Sequence, residues 1–182
     1  MDKASRETGS AQKDQGRRTV NRTRHYWLMK SEPAVFSFDD LKARSLSTDH
    51  WEGVRNYQAR NYMRDDMMKG DRVLFYHSNC EEPGVAGIAE VTKEAYPDFF
   101  SWDRTSRYYD PKSTIEKPRW FMVDLTWKQT FKKIVSLKNM KTNTALRNMK
   151  VLQKGQRLSI LPVTKEEFDT VYAMGMKRIQ EK

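Results

Sequence analysis

The sequence predicts an α+β fold built on a curved, mostly antiparallel sheet or small barrel. Three observations carry this expectation. Runs with strand-like composition outnumber runs with helical spacing. The helical runs are scattered among the strands without the spacing of βαβ units. Aromatic residues make up 12% of the chain, so a sequence only 37% apolar can still build a core from large rings. A length of 182 residues suits one domain with a tail.

Residues 1–24 hold a single aliphatic side chain larger than alanine, Val20, apart from Met1. Such a segment buries too little apolar surface to offset the entropy of ordering, so it is expected to be a disordered basic tail. The folded domain is expected over residues 25–182. His25–Ser31 reads as its first strand, closed by Glu32-Pro33. Ser37 offers an N-cap, with Asp40 three residues on and Phe38 and Leu41 as buried positions of a short helix. Gln58–Met67 has helical spacing through Ala59, Tyr62, Met63 and Met67. Arg72–His77 and Val85–Val91 read as two strands of a hairpin with a longer loop.

Residues 96–118 carry three prolines and many rings, the pattern of a loop that presents binding side chains. Trp120–Trp127 and Phe131–Val135 read as strands, Asn139–Leu152 as a helix or helical turn, and Arg157–Leu161 as a late strand. Thr164 and Glu167 form a capping box for a last helix containing Phe168, Val171 and Tyr172.

The net charge of +10 favours a polyanionic partner. The tail has seven bases and three acids, which leaves +6 on residues 25–182, so the folded part is basic in its own right. One cysteine, Cys80, excludes an internal disulfide and fits a reducing compartment. No run approaches the ~20 apolar residues of a membrane span. The expectation is therefore an intracellular protein, cytoplasmic in a bacterium and nuclear in a eukaryote. No membrane partner is expected.

Metal and catalytic chemistry find little support. His25, His50, His77 and Cys80 do not make a four-ligand set, so no metal is expected. The chain lacks G-x-S-x-G, Walker and G-x-G-x-x-G patterns, and no cofactor is expected. Cys80 with His77 is the first pair an enzyme reading would use, with Ser31 and Glu32 a weaker second. By contrast, residues 125–165 contain no acid and ten bases, among them Lys132, Lys133, Lys138 and Lys141. That asymmetry reads as one basic surface suited to a phosphate backbone. Trp51–Arg64 combines rings with Asn56, Gln58, Asn61 and three arginines. Amides can read base edges, guanidiniums can hold phosphate, and a tryptophan offers a π-face. Arg60 and Arg64 are four apart and share a helix face.

Three stretches carry a family resemblance: Trp27-Leu28-Met29-Lys30-Ser31-Glu32-Pro33, Trp51-Glu52-Gly53-Val54-Arg55-Asn56-Tyr57-Gln58-Ala59-Arg60-Asn61, and Phe75-Tyr76-His77-Ser78-Asn79. They resemble the EVE domain, in particular the thymocyte nuclear protein 1 group and its bacterial relatives. The likeness continues through Tyr109-Asp110-Pro111 and Arg157-Leu158-Ser159-Ile160 and covers about residues 25–174. It implies a PUA-like fold, a small curved β-barrel with peripheral helices. It also implies a pocket for a flipped modified base, with modified cytosine in DNA favoured and RNA possible.

Carried over by motif, the resemblance places Trp27, Lys30, Ser31, Trp51, Val54, Arg55 and Asn56 in the pocket wall. Tyr76, His77 and Ser78 form a second wall, and Trp102 and Tyr109 a lid. Arg55 and Arg60 are candidates for phosphate or for bracing the loop. From charge and spacing alone, Arg60, Arg64, Lys132, Lys133, Lys138 and Lys141 are the expected phosphate contacts. The expected function is thus a non-catalytic nucleic-acid-binding module, its oligomeric state left open with a monomer favoured. The alternatives are a PUA-type RNA-binding protein and, less favoured, a nucleotide-processing enzyme.

Overall fold

The computed structural model describes residues 23–177, so the expected tail lies outside the described residues except for Thr23 and Arg24. Six strands form one mixed sheet: β1 (Tyr26–Ser31), β2 (Thr48–His50), β3 (Arg72–His77), β4 (Gly84–Pro97), β5 (Phe121–Ser136) and β6 (Ile160–Val163). Their order is β2-β5-β4-β3-β1-β6, with β2 and β6 as unpaired edges, so the sheet does not close. Every pairing is antiparallel except β1 with β3, whose connection holds the helices of the first half. The α+β class expected from the sequence is the class observed.

Four short helices flank the sheet: α1 (Phe38–Ala43), α2 (Tyr57–Asn61), α3 (Leu137–Lys141) and α4 (Lys165–Met176). α1 starts at a full capping box, with Ser37 accepting from the Asp40 amide while the Asp40 side chain accepts from the Ser37 amide. Such reciprocal capping contributes about 1 kcal/mol. Thr164 and Glu167 repeat the device at α4. Asn56 caps α2 by accepting from the Ala59 amide at 3.1 Å, and the helix widens into a π-turn at Tyr62–Asp66.

Two cores lie on opposite faces of the sheet because side chains alternate along each strand. Trp27, Met29, Val73 and Phe75 join Phe38, Leu41, Trp51, Val54 and Met63 on one face. Leu28, Leu74, Tyr76, Phe131 and Val135 join Met140, Leu146, Phe168 and Val171 on the other. Gly87 allows α1 to press onto the first face, since a Cβ there would stand 2.2 Å from the Phe38 ring. Asp71, 2% exposed, ties the start of β1 to the turn before β3. It accepts from Trp27 Nε1 at 3.0 Å, the His25 amide at 3.0 Å and the Met68 amide at 3.1 Å.

Several boundaries differ from expectation. The two strands expected at 120–127 and 131–135 are one, β5, because Gln129 and Thr130 stay paired to β4 while a register shift absorbs Lys128. The helix expected at 139–152 stops at Lys141. Beyond it the Asn143 side chain accepts from the Ala145 amide, and the chain continues as short 3₁₀ turns that still bury Leu146 and Met149. The late strand begins at Ile160 rather than Arg157, and β2 was not expected at all. No helix among the described residues is long and apolar enough to cross a membrane.

His77 holds the first turn of α1, its Nε2 accepting from the Phe38 amide at 3.1 Å. Burial lowers its pKa below the ordinary histidine value, with Asp39 opposing. A depressed imidazole stabilises the fold while neutral, so the contribution is complete above the unfolded pKa of about 6.5 and is lost as pH falls through the folded value. The stability difference between wild type and His77→Gln, measured by urea unfolding, is therefore expected to be constant above about pH 6.5 and to shrink in more acidic buffer. A difference independent of pH contradicts this role.

Candidate nucleic-acid interface

At the C-terminal end of β1 the chain opens a cleft of about 600 Å³ on the first face of the sheet. That volume falls in the ~300–1,000 Å³ range of small-molecule sites. Its aromatic walls are Phe36, Trp51 and Tyr108. Lys30, Arg44, Arg55 and Arg107 bring cations to it, and Glu32, Asp49 and Glu52 bring carboxylates. Val35 and Val54 add apolar surface.

The walls are braced from below. Trp51 is 8% exposed and stands edge-on to Phe75, with ring centroids 5.4 Å apart and planes at 86°. Its amide donates to the Val123 carbonyl at 2.8 Å, which fixes the segment after β2 to the sheet. Ser31 donates to the Phe36 carbonyl at 2.6 Å, holding the loop that carries Phe36. Ser78 supports this corner, its amide donating to the Ser31 carbonyl at 2.8 Å.

Asp98, fully buried, is the clasp of the other wall. It accepts from Arg55 at 2.8 Å, from the Gly53 amide at 3.1 Å and from the Phe100 amide at 3.0 Å. Arg55 also donates through Nε to the Tyr108 carbonyl at 3.0 Å, and its guanidinium lies 5.4 Å from the Tyr108 ring centre. Gly53, at φ +78, passes directly under that ring: a Cβ would meet Tyr108 Cζ at 2.5 Å. Glycine at this position is what permits the close approach.

The polar lining is arranged rather than scattered. Arg44 pairs with Asp49 at 2.7 Å and lies over Phe36 at 5.6 Å. His50 Nδ1 sits 3.0 Å from Asp49 and Nε2 3.7 Å from Glu52, and its ring stacks on Phe100. Lys30 donates to the Gln156 carbonyl at 3.3 Å, and burial lowers its pKa from the ordinary lysine value. A partly desolvated ammonium gains from any further acceptor brought into the cleft.

The cleft gathers Lys30, Ser31, Trp51, Val54 and Arg55 from the residues expected in a base pocket. The others fall elsewhere. Trp27 is core, anchored on Asp71 at the opposite end of β1. Tyr76 faces the second core because alternation along β3 turns its neighbour Phe75 toward Trp51 instead. Burial there pushes the Tyr76 hydroxyl up to about 12. His77 supports α1, Asn56 caps α2 and Ser78 braces Ser31, so each acts behind the wall. Trp102 and Tyr109 do not line the cleft, and Tyr108 takes the place expected of Tyr109.

Among the expected phosphate contacts, Arg60 lies outside the cleft lining and donates to the Arg119 carbonyl at 2.8 Å and to Asn61. Arg64 forms a two-pronged pair with Asp65. Lys132, Lys133, Lys138 and Lys141 are exposed and outside the cleft. Arg44, Asp49, His50 and Arg107 were not foreseen as lining residues. No group of three or more metal-ligating side chains lies together among the described residues.

Residues 25–174 match the family model of the EVE domain. The chain belongs to the EVE domain family. Human thymocyte nuclear protein 1 is 44% identical to this EVE domain over 169 residues, covering 84% of this chain and 74% of the relative. Among solved structures, human THYN1 in complex with 5-methylcytosine-containing DNA matches with a TM-score of 0.79 and 44% identity, covering 85% of this chain and 99% of that one. A Pseudomonas syringae protein matches with a TM-score of 0.78 and 46% identity over 83% of this chain and 99% of its own. These neighbours place the open sheet within the fold of the EVE family, as the resemblance implied.

Proposed function

We propose that this EVE domain binds DNA and holds one extruded, modified cytosine in the cleft, without chemistry on it. The observation that carries the reading is the lining itself, in which ring walls from Phe36, Trp51 and Tyr108 enclose carboxylates and cations together. Cytosine presents an amino donor beside ring and carbonyl acceptors, so it needs both kinds of partner, and a carboxylate is the natural acceptor for its amino group. Stacking and edge bonds then offset the few kcal/mol of extrusion. A methyl group on the ring calls for apolar neighbours, which Val35, Phe36 and Val54 supply. The human relative solved with 5-methylcytosine-containing DNA supports the same reading.

A role without catalysis is supported by the placing of the Cys80–His77 pair, and by Ser31 in the cleft donating its hydroxyl to the Phe36 carbonyl rather than to Glu32. Neither Cys80 nor His77 lines the cleft, and the His77 Nε2 already accepts from the Phe38 amide. A reader of DNA works inside the cell, and the human relative bears the name of a nuclear protein. The test is equilibrium binding of matched DNA duplexes with cytosine or 5-methylcytosine at one position, with the corresponding RNA as a third arm. One methyl in an apolar pocket is worth ~1 kcal/mol, so about a fivefold preference for the methylated duplex is expected. Equal affinity for the two duplexes overturns the modified-base reading, and tighter binding of RNA overturns the choice of polymer.

A further inference from the structure

Beside the cleft lies a second group of rings and guanidiniums, of which Arg55 alone also lines the cleft. Tyr57 stacks on Trp120 with centroids 5.0 Å apart and planes at 21°, yet it remains 50% exposed. Three arginines surround the pair: Arg55 at 5.3 Å from Trp120, Arg60 at 4.9 Å from Tyr57, and Arg119 at 5.8 Å from Tyr57. Arg60 is also within 6.0 Å of Trp120, so it sits beside the stacked pair and not across Tyr57 from it. Trp120 is 5% exposed and fixed by donating to Asp110 at 2.7 Å. The exposed tyrosine therefore rests on an immobile base.

A purely structural cluster would compensate its charges, and this one does so incompletely. Arg55 pairs with Asp98 at 2.8 Å and Arg119 with Asp110 at 3.4 Å, but Arg60 is held by neutral acceptors, the Asn61 amide oxygen and the Arg119 carbonyl, and among the described residues no carboxylate forms an ion pair with it. Burial and then the nearby Arg64 press its pKa down, with Tyr57 and Asp65 opposing and Arg119 adding to the lowering, so the guanidiniums still oppose one another in the free protein. An anion among them relieves that opposition. The group is continuous with the cleft, because the Arg55 guanidinium lies against both Tyr108 in the cleft wall and Trp120 here.

We infer that this ledge holds the nucleotide next to the one in the cleft, on the same strand, with its phosphate among Arg55, Arg60 and Arg119 and its base on the exposed ring of Tyr57. The inference rests on the reading of the cleft as a nucleic-acid site. Base stacking on an aromatic side chain tolerates any base, so the ledge adds affinity without choosing a sequence. An exposed ring on a rigid partner and uncompensated charge beside it are the two features such a platform needs.

The test is a cycle on single-stranded DNA oligonucleotides carrying 5-methylcytosine at the centre, with its two neighbours either normal or abasic. Wild type is expected to lose about tenfold in affinity when the neighbouring bases are removed, the effect of one lost stack. Tyr57→Ala is expected to bind the normal oligonucleotide about tenfold more weakly and to be indifferent to removal of the neighbours. Arg60→Gln should lower the slope of log affinity against log salt by about one. Equal sensitivity of wild type and Tyr57→Ala to abasic neighbours overturns the ledge, as does an indifferent wild type. Failure of the base-reading proposal is separately visible, because repeating the series with unmodified cytosine then returns the same wild-type affinity while the cycle still reads the ledge.

Discussion

Gly53→Ala is expected to bind 5-methylcytosine DNA at least ~10-fold more weakly than wild type while remaining folded. The new Cβ would stand 2.5 to 2.8 Å from three carbons of the Tyr108 ring, closer than carbon atoms tolerate. Tyr108 must leave the cleft wall, and the ring that faces Trp51 and Phe36 across the lining is lost from its place. Losing one stacking ring costs ~1–3 kcal/mol of binding. The backbone contributes separately: φ is +78 at Gly53, and an L-residue there costs ~1–2 kcal/mol of stability. For a domain of this size that lowers the melting temperature by only a few degrees, roughly 2–4 °C per kcal/mol. Thermal melting beside fluorescence-anisotropy titration separates the two effects. Full affinity in the variant would show that Tyr108 is not part of the recognition surface.

Asp98→Ala is expected to give the largest loss of stability of any single change near the cleft, ~3 kcal/mol. The carboxylate is fully buried and satisfies three donors, the Gly53 and Phe100 amides and the Arg55 guanidinium. Removing one partner of a buried ion pair typically costs ~3–5 kcal/mol because the other charge is left behind. The Arg55 side chain is 24% exposed, so water recovers part of that and the lower end applies. Asp98→Asn should fall between, since its oxygen still accepts from an amide while its charge no longer balances Arg55. Chemical denaturation of the three proteins measures the order. An Asp98→Ala protein as stable as wild type would remove the clasp from the account.

The sequence carried the fold more fully than the site, and for a physical reason. Strand composition, turn residues and the Ser37 and Thr164 capping boxes are local signals, and α1, β1, β3 and α4 stand where those signals put them. Of the helix or helical turn expected at 139–152, only turns form beyond Lys141, because Asn143 offers its own side chain to the backbone, a competition that apolar spacing does not show. β2 is Thr-Asp-His, with no apolar alternation to find, and it becomes a strand only by pairing with β5. That hidden strand is also what delivers Asp49 and His50 to the cleft, so missing it hid them both.

The motif stretches were informative about neighbourhood and less so about direction. Lys30, Ser31, Trp51, Val54 and Arg55 converge on the cleft from two separate motifs. Tyr76 and Tyr109 each lie one residue away from the ring that is used near the cleft, Phe75 and Tyr108. On β3 a one-residue shift reverses the face, while Tyr108 and Tyr109 sit in a loop of turns, where no periodicity in the sequence reveals side-chain direction. The one clue within the sequence was Gly53, which lies in the densest motif and marks a point of close approach.

The central claim is that a cytosine leaves its stack and enters the cleft. A duplex with 2-aminopurine stacked beside the target cytosine reports this directly, because its fluorescence is quenched by stacking and rises when the neighbouring base is withdrawn. Adding the protein is expected to raise the fluorescence, more strongly for 5-methylcytosine than for cytosine, and Gly53→Ala at equal occupancy should give little rise. A saturated complex whose fluorescence matches that of free DNA, with either base, would contradict the account.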